Sequence, residues 1–234
     1  RKNNLYIIED NAHGILAEYK KGKYLGQFGD IATFSFDHLK NVSCGQGGGI
    51  AINNEDLLQS FFVHYEFGTN RRSFFNGNAN RYEWKNLGSN YPLSELNAAM
   101  LFAQLENAEK INAKFVQFVS LYSELLSDLR KDDKIDFPDI SKEGKQNGHC
   151  FFIKAKDLTE RNDLIKFLHD REINAQFHYT PLHNSEFGKA SGRFAGEDKF
   201  TTFESRRLLR LPLFYNMNEN ELTHVTKALH EFHQ

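Results

Sequence analysis

Cysteine is scarce in this sequence, with only Cys44 and Cys150 among 234 residues. Two thiols without the spacing of metal ligands argue against a disulfide framework and for a reducing compartment. An excess of charge of one sign is also missing, because 29 basic and 31 acidic residues give a net charge of -2 at pH 7. Such a balance leaves no electrostatic footprint for nucleic acid. No apolar run approaches the length that spans a membrane, so we expect a soluble, cytoplasmic protein.

The beginning of the chain also lacks an initiating methionine. Residue 1 is an arginine, and an apolar run typical of a buried strand begins almost at once, at Leu5. A chain of this length can bury the core of one large domain or of one and a half typical domains. We therefore expect the chain to be the C-terminal part of a larger protein.

The chemistry of the sequence centres on a lysine between two apolar runs. Ile31–Phe36 predicts a short buried strand, a polar turn carries Lys40, a glycine cluster occupies 45–49, and a second apolar run begins at Ile50. Most lysines are solvated surface charges. A lysine at a strand end, flanked by buried sequence, can instead be desolvated and form a Schiff base with a carbonyl cofactor.

An acidic residue follows the first predicted strand. The run Leu5–Ile8 is typical of a parallel strand that is buried on both faces, and Asp10 comes directly after it. By itself Asp10 is explained as a helix cap. Beside Lys40 it gains a second interpretation, because a buried aspartate can pair with a protonated pyridine nitrogen. The stretch between Asp10 and Lys40 leaves room for one or two further strands, so both side chains can reach one edge of a sheet.

The hydrophobic pattern predicts the remaining elements. Helices are expected over 55–67, over 95 to about 129 with a break near 112, and over 161–171, 200–209 and 218–232. Strands are expected over 150–153 and 175–179. The N-cap candidates are Asn53 or Asn54 for the first helix and Ser94 for the second, and Gly68 is a stop signal.

Several spaced blocks of the chain resemble one protein family. These blocks are Glu9–Gly14, Tyr19–Lys20, Gly22–Lys23, Gly26, Gly29, Ser35–Phe36, Lys40 and Gly45–Gly48. Together they look like the signature of the DegT/DnrJ/EryC1/StrS sugar nucleotide aminotransferases, which are pyridoxal 5'-phosphate (PLP) enzymes of fold type I. The similarity continues through the rest of the chain, and the members that it looks most like aminate dTDP-4-keto-6-deoxy-D-glucose.

The resemblance implies an α/β chain with the PLP-dependent transferase fold type I. Residues 1–130 would be the C-terminal part of the PLP-binding large domain, including a linking helix, and residues 131–234 a small C-terminal α/β domain. The implied reaction transfers an amino group, from glutamate, to a nucleotide-linked 4-keto-6-deoxy sugar for cell-surface polysaccharide or O-antigen. The family also implies a homodimer in which the two subunits share each active site.

The resemblance assigns roles to five residues. Lys40 would hold the cofactor as a Schiff base and move the proton, and Asp10 would hold the pyridinium. Ser35 would donate its hydroxyl to the cofactor phosphate, although a strand-end hydroxyl needs no such role. His13 stands beside the cofactor's phenolic oxygen, where these enzymes usually have glutamine. Asn90 would reach the cofactor phosphate of the neighbouring subunit.

Two further departures from the family pattern concern Gln46 and Pro92. Gln46 replaces a glutamate of the glycine cluster, which we expect to be structural. Pro92 stands where many relatives have arginine, so an anchor for the amino donor's carboxylate is missing and donor recognition is open. Some relatives are dehydratases with histidine in place of the lysine, and Lys40 therefore favours amino transfer.

The segment Thr69–Lys85 is rich in asparagine, arginine and aromatic residues. An exposed loop explains this composition, and single-stranded nucleic acid binding is disfavoured by the balanced charge. In the family this region crosses to the partner subunit near its active site. The candidates for phosphate contacts are Arg71, Arg72, Arg81 and Lys85, and we take Arg71 and Arg81 as substrate-binding candidates.

Three histidines invite a metal interpretation. The spacing of His149, His178 and His183 matches no zinc pattern, and no carboxylate is placed with them, so we predict no metal site. The segment His178–His183 resembles the family's segment near the sugar nucleotide. His178, Tyr179 and His183 are therefore candidates for the substrate cleft, with a core tyrosine and a loop histidine as the simpler explanation.

Two classes of function are compatible with the sequence. The enzyme interpretation requires Lys40 and Asp10 to face one another across a gap of ligand size. A binding or regulatory module that keeps the fold, or an inactive fragment, would have Lys40 in solvent and Asp10 used only as a cap. In fold type I enzymes an upstream loop grips the phosphate. We therefore expect these 234 residues alone to bind PLP poorly and to be inactive.

Overall fold

The computed structural model describes residues 3–20, 22–139 and 144–234. These residues form two compact units. The first holds the described residues up to Asn112 together with 144–147, and the second holds 113–139 and 148–234. The sequence-based ranges 1–130 and 131–234 differ from these units, because Phe118 and Tyr122 belong to the core of the second unit. The domain ranges of the whole protein stay a prediction.

The first unit contains two small sheets. Its strands are β1 (Ile8–Asp10), β2 (Glu18–Lys20), β3 (Lys23–Tyr24), β4 (Ile31–Ser35) and β5 (Gly48–Ile52). One sheet has the order β1-β4-β5, and β2 pairs with β3 in the other. β1 runs parallel to β4 with Asp10 opposite Thr33, and β5 runs antiparallel to β4 with Gly48 opposite Ser35. The predicted strands on either side of the lysine turn are confirmed.

The first strand differs from its prediction in position and burial. The sequence predicts a strand over 5–8 that is buried on both faces, whereas β1 begins at Ile8. Leu5, Tyr6 and Ile8 are 68%, 70% and 67% exposed. Among the described residues β1 is an edge strand that pairs with β4 alone, and no described element covers these side chains.

The carboxylate of Glu9 ties β1 to the loop before β4. It accepts hydrogen bonds from the backbone N–H groups of Gly26 (2.8 Å), Phe28 (2.6 Å) and Gly29 (2.6 Å). Burial opposes ionisation, but the hydrogen bonds from Gly29, Gly26 and Phe28 outweigh it, so the pKa of Glu9 lies below its ordinary value. Asn53 holds the same loop from the other side, because its Nδ2 donates to the carbonyl oxygens of Gly26 and Gly29.

Helices follow the first sheet. They are α1 (Leu58–Tyr65) with a preceding 3-10 turn (Glu55–Leu57), α2 (Arg71–Phe75), α3 (Glu95–Glu106) and α4 (Ala108–Leu125). Asn54 caps the 3-10 turn and Ser94 caps α3, as predicted. The predicted helix over 55–67 ends earlier, because α1 stops at Tyr65 and not before Gly68. Gly68 has a φ of +73°, and a Cβ there would lie 1.9 Å from the carbonyl oxygen of Asn86, so this position requires glycine.

Two helix predictions need correction. The long helix is interrupted at Asn107 and not near Asn112, because α3 ends at the residue before Asn107 and α4 begins after it. The segment 69–85, predicted as a loop, contains the short helix α2. Side-chain contacts support α2, since the guanidinium of Arg72 lies 3.7 Å from the ring centre of Phe62.

The second unit packs helices against a three-stranded antiparallel sheet. Its elements are α5 (Ser127–Lys131), β6 (Phe152–Lys154), α6 (Leu158–His169), β7 (Gln176–Phe177), a 3-10 turn (Leu182–Asn184), α7 (Glu186–Ser191), α8 (Thr201–Arg207), β8 (Leu208–Arg210) and α9 (Glu219–Phe232). The order of the sheet is β6-β8-β7. Its core includes Tyr122, Leu126, Ile153, Leu164, Leu168, Leu209, Leu222 and Leu229.

The strand β8 is the main element of the second unit that the sequence pattern does not predict. The pattern predicts a helix over 200–209, but α8 ends at Arg207 and the next three residues form the central strand of the sheet. A strand of three residues is too short to establish a period of two in the sequence. Leu209 is nevertheless fully buried, so burial in the sheet overrides the helical pattern. Within the described part of the chain, every helix is too short or too polar to span a membrane.

Replacing Glu9 by glutamine is expected to destabilise the chain by about 1–3 kcal/mol, because three backbone donors lose a charged acceptor. Since the pKa of Glu9 is lowered in the fold, its contribution is complete above the unfolded pKa and disappears as the pH falls through the folded pKa. Urea unfolding at neutral pH and at about pH 3 measures both effects. Glu124→Gln, at an exposed residue, is the control. Equal stability of the two variants at neutral pH would contradict the stabilising role of Glu9.

Candidate functional site

The parallel pairing of β1 and β4 places two of the predicted cofactor residues, Asp10 and Ser35, at one edge of the first sheet. Asp10 ends β1 and Ser35 ends β4, and the two strands run in the same direction. Asp10 lies opposite Thr33, and side chains two positions apart on a strand share a face, so Asp10 and Ser35 lie on the same face. From the spacing of strands and residues, their Cα atoms are roughly 8 Å apart.

Asp10 is exposed at this edge, not buried. Its Oδ1 accepts a hydrogen bond from the backbone N–H of Ala12 at 3.2 Å, which shapes the turn after β1. The sequence predicts a buried aspartate, and the difference follows from the open face of the sheet among the described residues. The local hydrogen bond is the feature that the binding-module interpretation predicts for Asp10.

Lys40 lies in the loop that leaves β4 at the same edge. The loop begins with a turn in which the backbone N–H of Lys40 donates to the carbonyl oxygen of Asp37 at 2.9 Å. A hydrogen bond from the N–H of Leu39, together with His38, lowers the pKa of Asp37. Lys40 is half-buried in this turn. Asp10, Ser35 and the Lys40 loop therefore leave the sheet at one edge, as the sequence predicts.

Ser35 and His13, which accompany Asp10 and Lys40 in the predicted site, also form hydrogen bonds within the fold. Ser35 is half-buried, and its Oγ accepts a 3.4 Å hydrogen bond from the N–H of Asp37. His13 is exposed in the loop after β1, where its carbonyl oxygen accepts a hydrogen bond from Asn147 Nδ2 at 2.7 Å. Asn41, to which the sequence assigns no role, is buried directly after Lys40. The only sign of Asn41 in the sequence is that a polar residue directly follows the candidate lysine.

Asn90 lies in the segment between α2 and α3. It is exposed, forms an isolated antiparallel bridge with Glu66, and lines a cavity of about 1210 Å³. Arg72 and Asn97 line the same cavity, together with the glycine segment 47–49. Asn90 thus shares its cavity with the residues at which β5 begins.

The substrate candidates of the arginine-rich segment lie outside the lining of the cavity that contains Asn90. Arg81 is exposed and lines another cavity, of about 420 Å³, with Asn70 and Lys85. Arg71 is exposed on α2, where its guanidinium lies 5.2 Å from the ring centre of Phe75. Neither arginine lines the cavity of Asn90, and their role in substrate binding stays a prediction.

The remaining substrate candidates lie in the second unit. His178 and Tyr179 line a cavity of about 580 Å³ whose cationic residues are Arg161, Lys189 and Arg206. Burial, with a smaller contribution from Arg210, lowers the pKa of His178 and so favours its neutral imidazole. A neutral imidazole in a cationic cavity can accept or donate one hydrogen bond without adding to the positive charge.

His183 is engaged in a local network. Its Nε2 lies 2.8 Å from Asp198 Oδ2 and 3.1 Å from Thr202 Oγ1, and its ring centre lies 4.5 Å from that of Phe194. These contacts explain His183 as a loop histidine, the simpler of its two interpretations. Among the residues that the structure describes, no three histidine, cysteine or acidic side chains are grouped as metal ligands would be.

The donor set at the first-sheet edge fits a pyridine aldehyde cofactor. An acid and a hydroxyl end two parallel strands at one edge, and the loop that follows carries an amine; these are the groups that a ring nitrogen, a phosphate and an aldehyde carbon require. The separation of roughly 8 Å between Asp10 and Ser35, estimated from strand geometry, is comparable with the length of a substituted pyridine ring. Lys40, five residues after Ser35, lies in the adjoining loop.

Comparison with known proteins identifies relatives along the whole chain. A family model described as the DegT/DnrJ/EryC1/StrS aminotransferase family matches residues 1–230. GDP-perosamine synthase of Escherichia coli O157:H7 is 28% identical over 245 residues, covering 100% of this chain and 60% of that protein. An uncharacterised protein of Methanocaldococcus jannaschii is 28% identical over 236 residues, or 98% of this chain and 60% of the relative. The chain thus spans 60% of the length of these curated relatives.

Solved structures confirm the predicted fold class. The aminotransferase TlmJ from Streptoalloteichus hindustanus matches with a TM-score of 0.86 and 19% identity, covering 99% of this chain and 59% of that one. Helicobacter pylori PseC, an aminotransferase of pseudoaminic acid biosynthesis, gives a TM-score of 0.84 at 22% identity over 99% of this chain and 60% of its own. Spr1654 from Streptococcus pneumoniae in its PLP form gives 0.81 at 19% identity over 97% and 57%. On the match over residues 1–230, the chain belongs to the DegT/DnrJ/EryC1/StrS aminotransferase family, whose aminotransferases are PLP-dependent, as the resemblance implied.

Proposed function

We propose that a protein containing this chain uses PLP to transfer an amino group, from glutamate, to the keto group of a nucleotide-linked 4-keto-6-deoxy sugar. The observation that carries the proposal is the parallel register of β1 and β4, which brings Asp10, Ser35 and the Lys40 loop to one edge. Family membership supports amino transfer to a sugar. The choice of dTDP as the nucleotide, the glutamate donor, a role in polysaccharide or O-antigen synthesis and the cytoplasmic location stay predictions.

Each residue at the edge has one task in this proposal. PLP, when bound, supplies an electrophilic carbonyl carbon and a protonated pyridine ring that accepts electrons. Asp10 would pair with the ring nitrogen through a charge-assisted hydrogen bond, and Ser35 would donate its hydroxyl to the phosphate. Lys40 Nζ would bind the carbonyl carbon at rest and, once the substrate amine displaces it, hold and return a proton as a general base and acid.

Recognition of the nucleotide sugar is assigned to cationic residues outside this edge. A diphosphate is negatively charged, and guanidinium groups bind phosphate oxygens through bidentate hydrogen bonds. Arg71 and Arg81 of the arginine-rich segment are exposed for such contacts. His178 and Tyr179 line the cationic cavity of the second unit, whereas the contacts of His183 give it a positioning task in its own loop. The E. coli relative is named for a GDP-linked sugar, which supports a nucleotide sugar as the substrate class.

A homodimer is part of the proposal. Large apolar side chains are exposed on α3 and in the loop before it, among them Trp84, Leu87, Leu96 and Phe102. Leu96 is 84% exposed and Leu87 is 77% exposed, which is costly for a surface left in water. A second copy of the chain would cover this surface, and Asn90, in the loop before α3, would then lie close to the partner.

A catalytically inactive binding module is the second candidate. One observation favours it, because Asp10 is exposed and its Oδ1 is used by the N–H of Ala12. In that case the edge would keep its shape without holding a cofactor. The two candidates differ in whether a carbonyl compound becomes covalently attached to Lys40.

Reductive labelling distinguishes the two candidates. PLP is added to the protein in its full natural length, borohydride is applied, and peptides are analysed by mass spectrometry. We expect one pyridoxyl group on Lys40, lost in Lys40→Ala together with about 10²–10⁴-fold of the transaminase activity. Lys110→Ala, which removes an exposed lysine of α4, is the matched control and should keep both the label on Lys40 and the transaminase activity. A label on another lysine, or no label, would contradict the enzyme proposal.

The same labelling applied to the 234-residue chain tests whether this part suffices to hold PLP. We expect little or no label there, since the family places a phosphate-gripping loop upstream. Stable labelling of Lys40 in the isolated chain would show that expectation to be wrong and would leave the assignment of Lys40 intact.

Charge introduced into the exposed apolar surface tests the dimer. Leu96→Glu is expected to convert the full-length dimer to a monomer, because an uncompensated carboxylate is costly at a buried interface. Leu182→Glu, at a side chain 82% exposed in the second unit, is the control and should leave the dimer unchanged. Sedimentation velocity measures both, and a dimer that tolerates Leu96→Glu would place the interface elsewhere.

A further inference from the structure

A buried asparagine stands next to the candidate Schiff-base lysine. Asn41 is 7% exposed and directly follows Lys40. Its Nδ2 donates one hydrogen bond to Asn112 Oδ1 at 2.9 Å and one to the carbonyl oxygen of Asn147 at 2.7 Å. Both amide protons are therefore used, and the main chain at Lys40 is held against two distant segments of the first unit.

Asn147 continues the network toward the other side of the candidate site. It is also 7% exposed, and its Nδ2 donates to the carbonyl oxygens of His13 at 2.7 Å and Ile15 at 3.0 Å. His13 and Ile15 lie in the loop that begins directly after Asp10. The segment that carries Asn147 is itself anchored, because Lys145 and Glu18 exchange backbone hydrogen bonds of 2.8 and 3.0 Å.

The network thus connects the loop after Lys40 with the loop after Asp10. The pairing of β1 with β4 fixes where the two strands end, but it does not fix the loops beyond them. Buried amides that satisfy one another are costly to break, since each lost partner leaves a desolvated donor or acceptor. The two asparagines therefore restrict the two loops to one relative arrangement.

We propose that Asn41 and Asn147 are positioning residues that hold the amine of Lys40 and the carboxylate of Asp10 at a fixed separation. This inference rests on the proposed function, because the separation matters only if both groups act on one cofactor. A displacement of about 1 Å at a reacting group can cost on the order of a hundredfold in rate. In this proposal the two asparagines act through their hydrogen bonds, so their effect passes through the main chain at Lys40 and the loop of His13.

The first test needs no cofactor. Hydrogen exchange followed by mass spectrometry compares the wild type with Asn41→Ala and Asn147→Ala in the full-length, cofactor-free protein. Each variant is expected to exchange about tenfold faster in both loops, 11–17 and 37–46. Faster exchange in only one of the two loops would overturn the coupling. Asn41→Ser and Asn147→Ser, which keep one hydroxyl donor, replace any alanine variant that does not fold.

Asn70→Ala is the matched control for burial. Asn70 is 8% exposed, donates from Nδ2 to the carbonyl oxygen of Arg81 and accepts from the N–H of Glu83, each at 2.8 Å. It resembles Asn41 in burial and in hydrogen bonding but belongs to the segment around α2. Its truncation is expected to leave exchange in the loops 11–17 and 37–46 at the wild-type rate. Faster exchange in those loops would mean that truncating any buried asparagine loosens the unit, and would contradict a specific role of Asn41 and Asn147.

The second test uses the loaded enzyme and separates this inference from the proposed function. Borohydride labelling of the wild type is done first, and failure to label Lys40 rejects the proposed function itself. With the label present, Asn41→Ala is expected to lower kcat about 10–100-fold and leave KM for the amino donor within about twofold. The pH midpoint of Schiff-base absorbance should also shift in Asn41→Ala and not in Asn70→Ala. Unchanged kcat and midpoint in a folded, labelled variant would overturn the positioning role.

Discussion

The parallel pairing of β1 with β4 is the constraint on which the candidate site depends. A parallel pair ends at one edge, so residues at the two C-terminal ends become neighbours although they are far apart in sequence. Asp10 and Ser35 gain their proximity in this way, and the loop from β4 brings Lys40 to the same place. Glu9 strengthens the arrangement, because its carboxylate holds the loop that leads into β4 through three backbone donors.

Local sequence patterns explain much of the first unit. The strand before Lys40 and the strand after the glycine cluster are apolar runs bounded by turn residues. Ser94 has the residue type of an N-cap and an acidic residue directly after it, and it caps α3 in the structure. The family signature is also local, since its blocks are short and ordered along the chain. These features need no knowledge of long-range contacts, and that is why they can be read from the sequence.

The sequence gives wrong predictions, or no prediction, for features that depend on long-range contacts. The strand β8 is assigned by its pairing with β6 and β7, which the helical pattern of 200–209 does not contain. The exposure of Leu5 depends on what lies beside β1, and the engagement of His183 depends on Asp198 across a loop. The asparagine network is the clearest case, because Asn41 binds residues 71 and 106 positions away. No periodicity or motif around Lys40 could predict those partners.

The unpaired backbone of β1 has a consequence for producing this chain in isolation. Among the described residues β1 has one unpaired backbone edge, and the apolar side chains of Tyr6 and Ile8 stand exposed beside it. An unpaired apolar edge is a template for strand addition by any chain that reaches it. When produced alone, the polypeptide will therefore tend to aggregate through intermolecular β-pairing, and its yield in dispersed form will fall as its concentration rises.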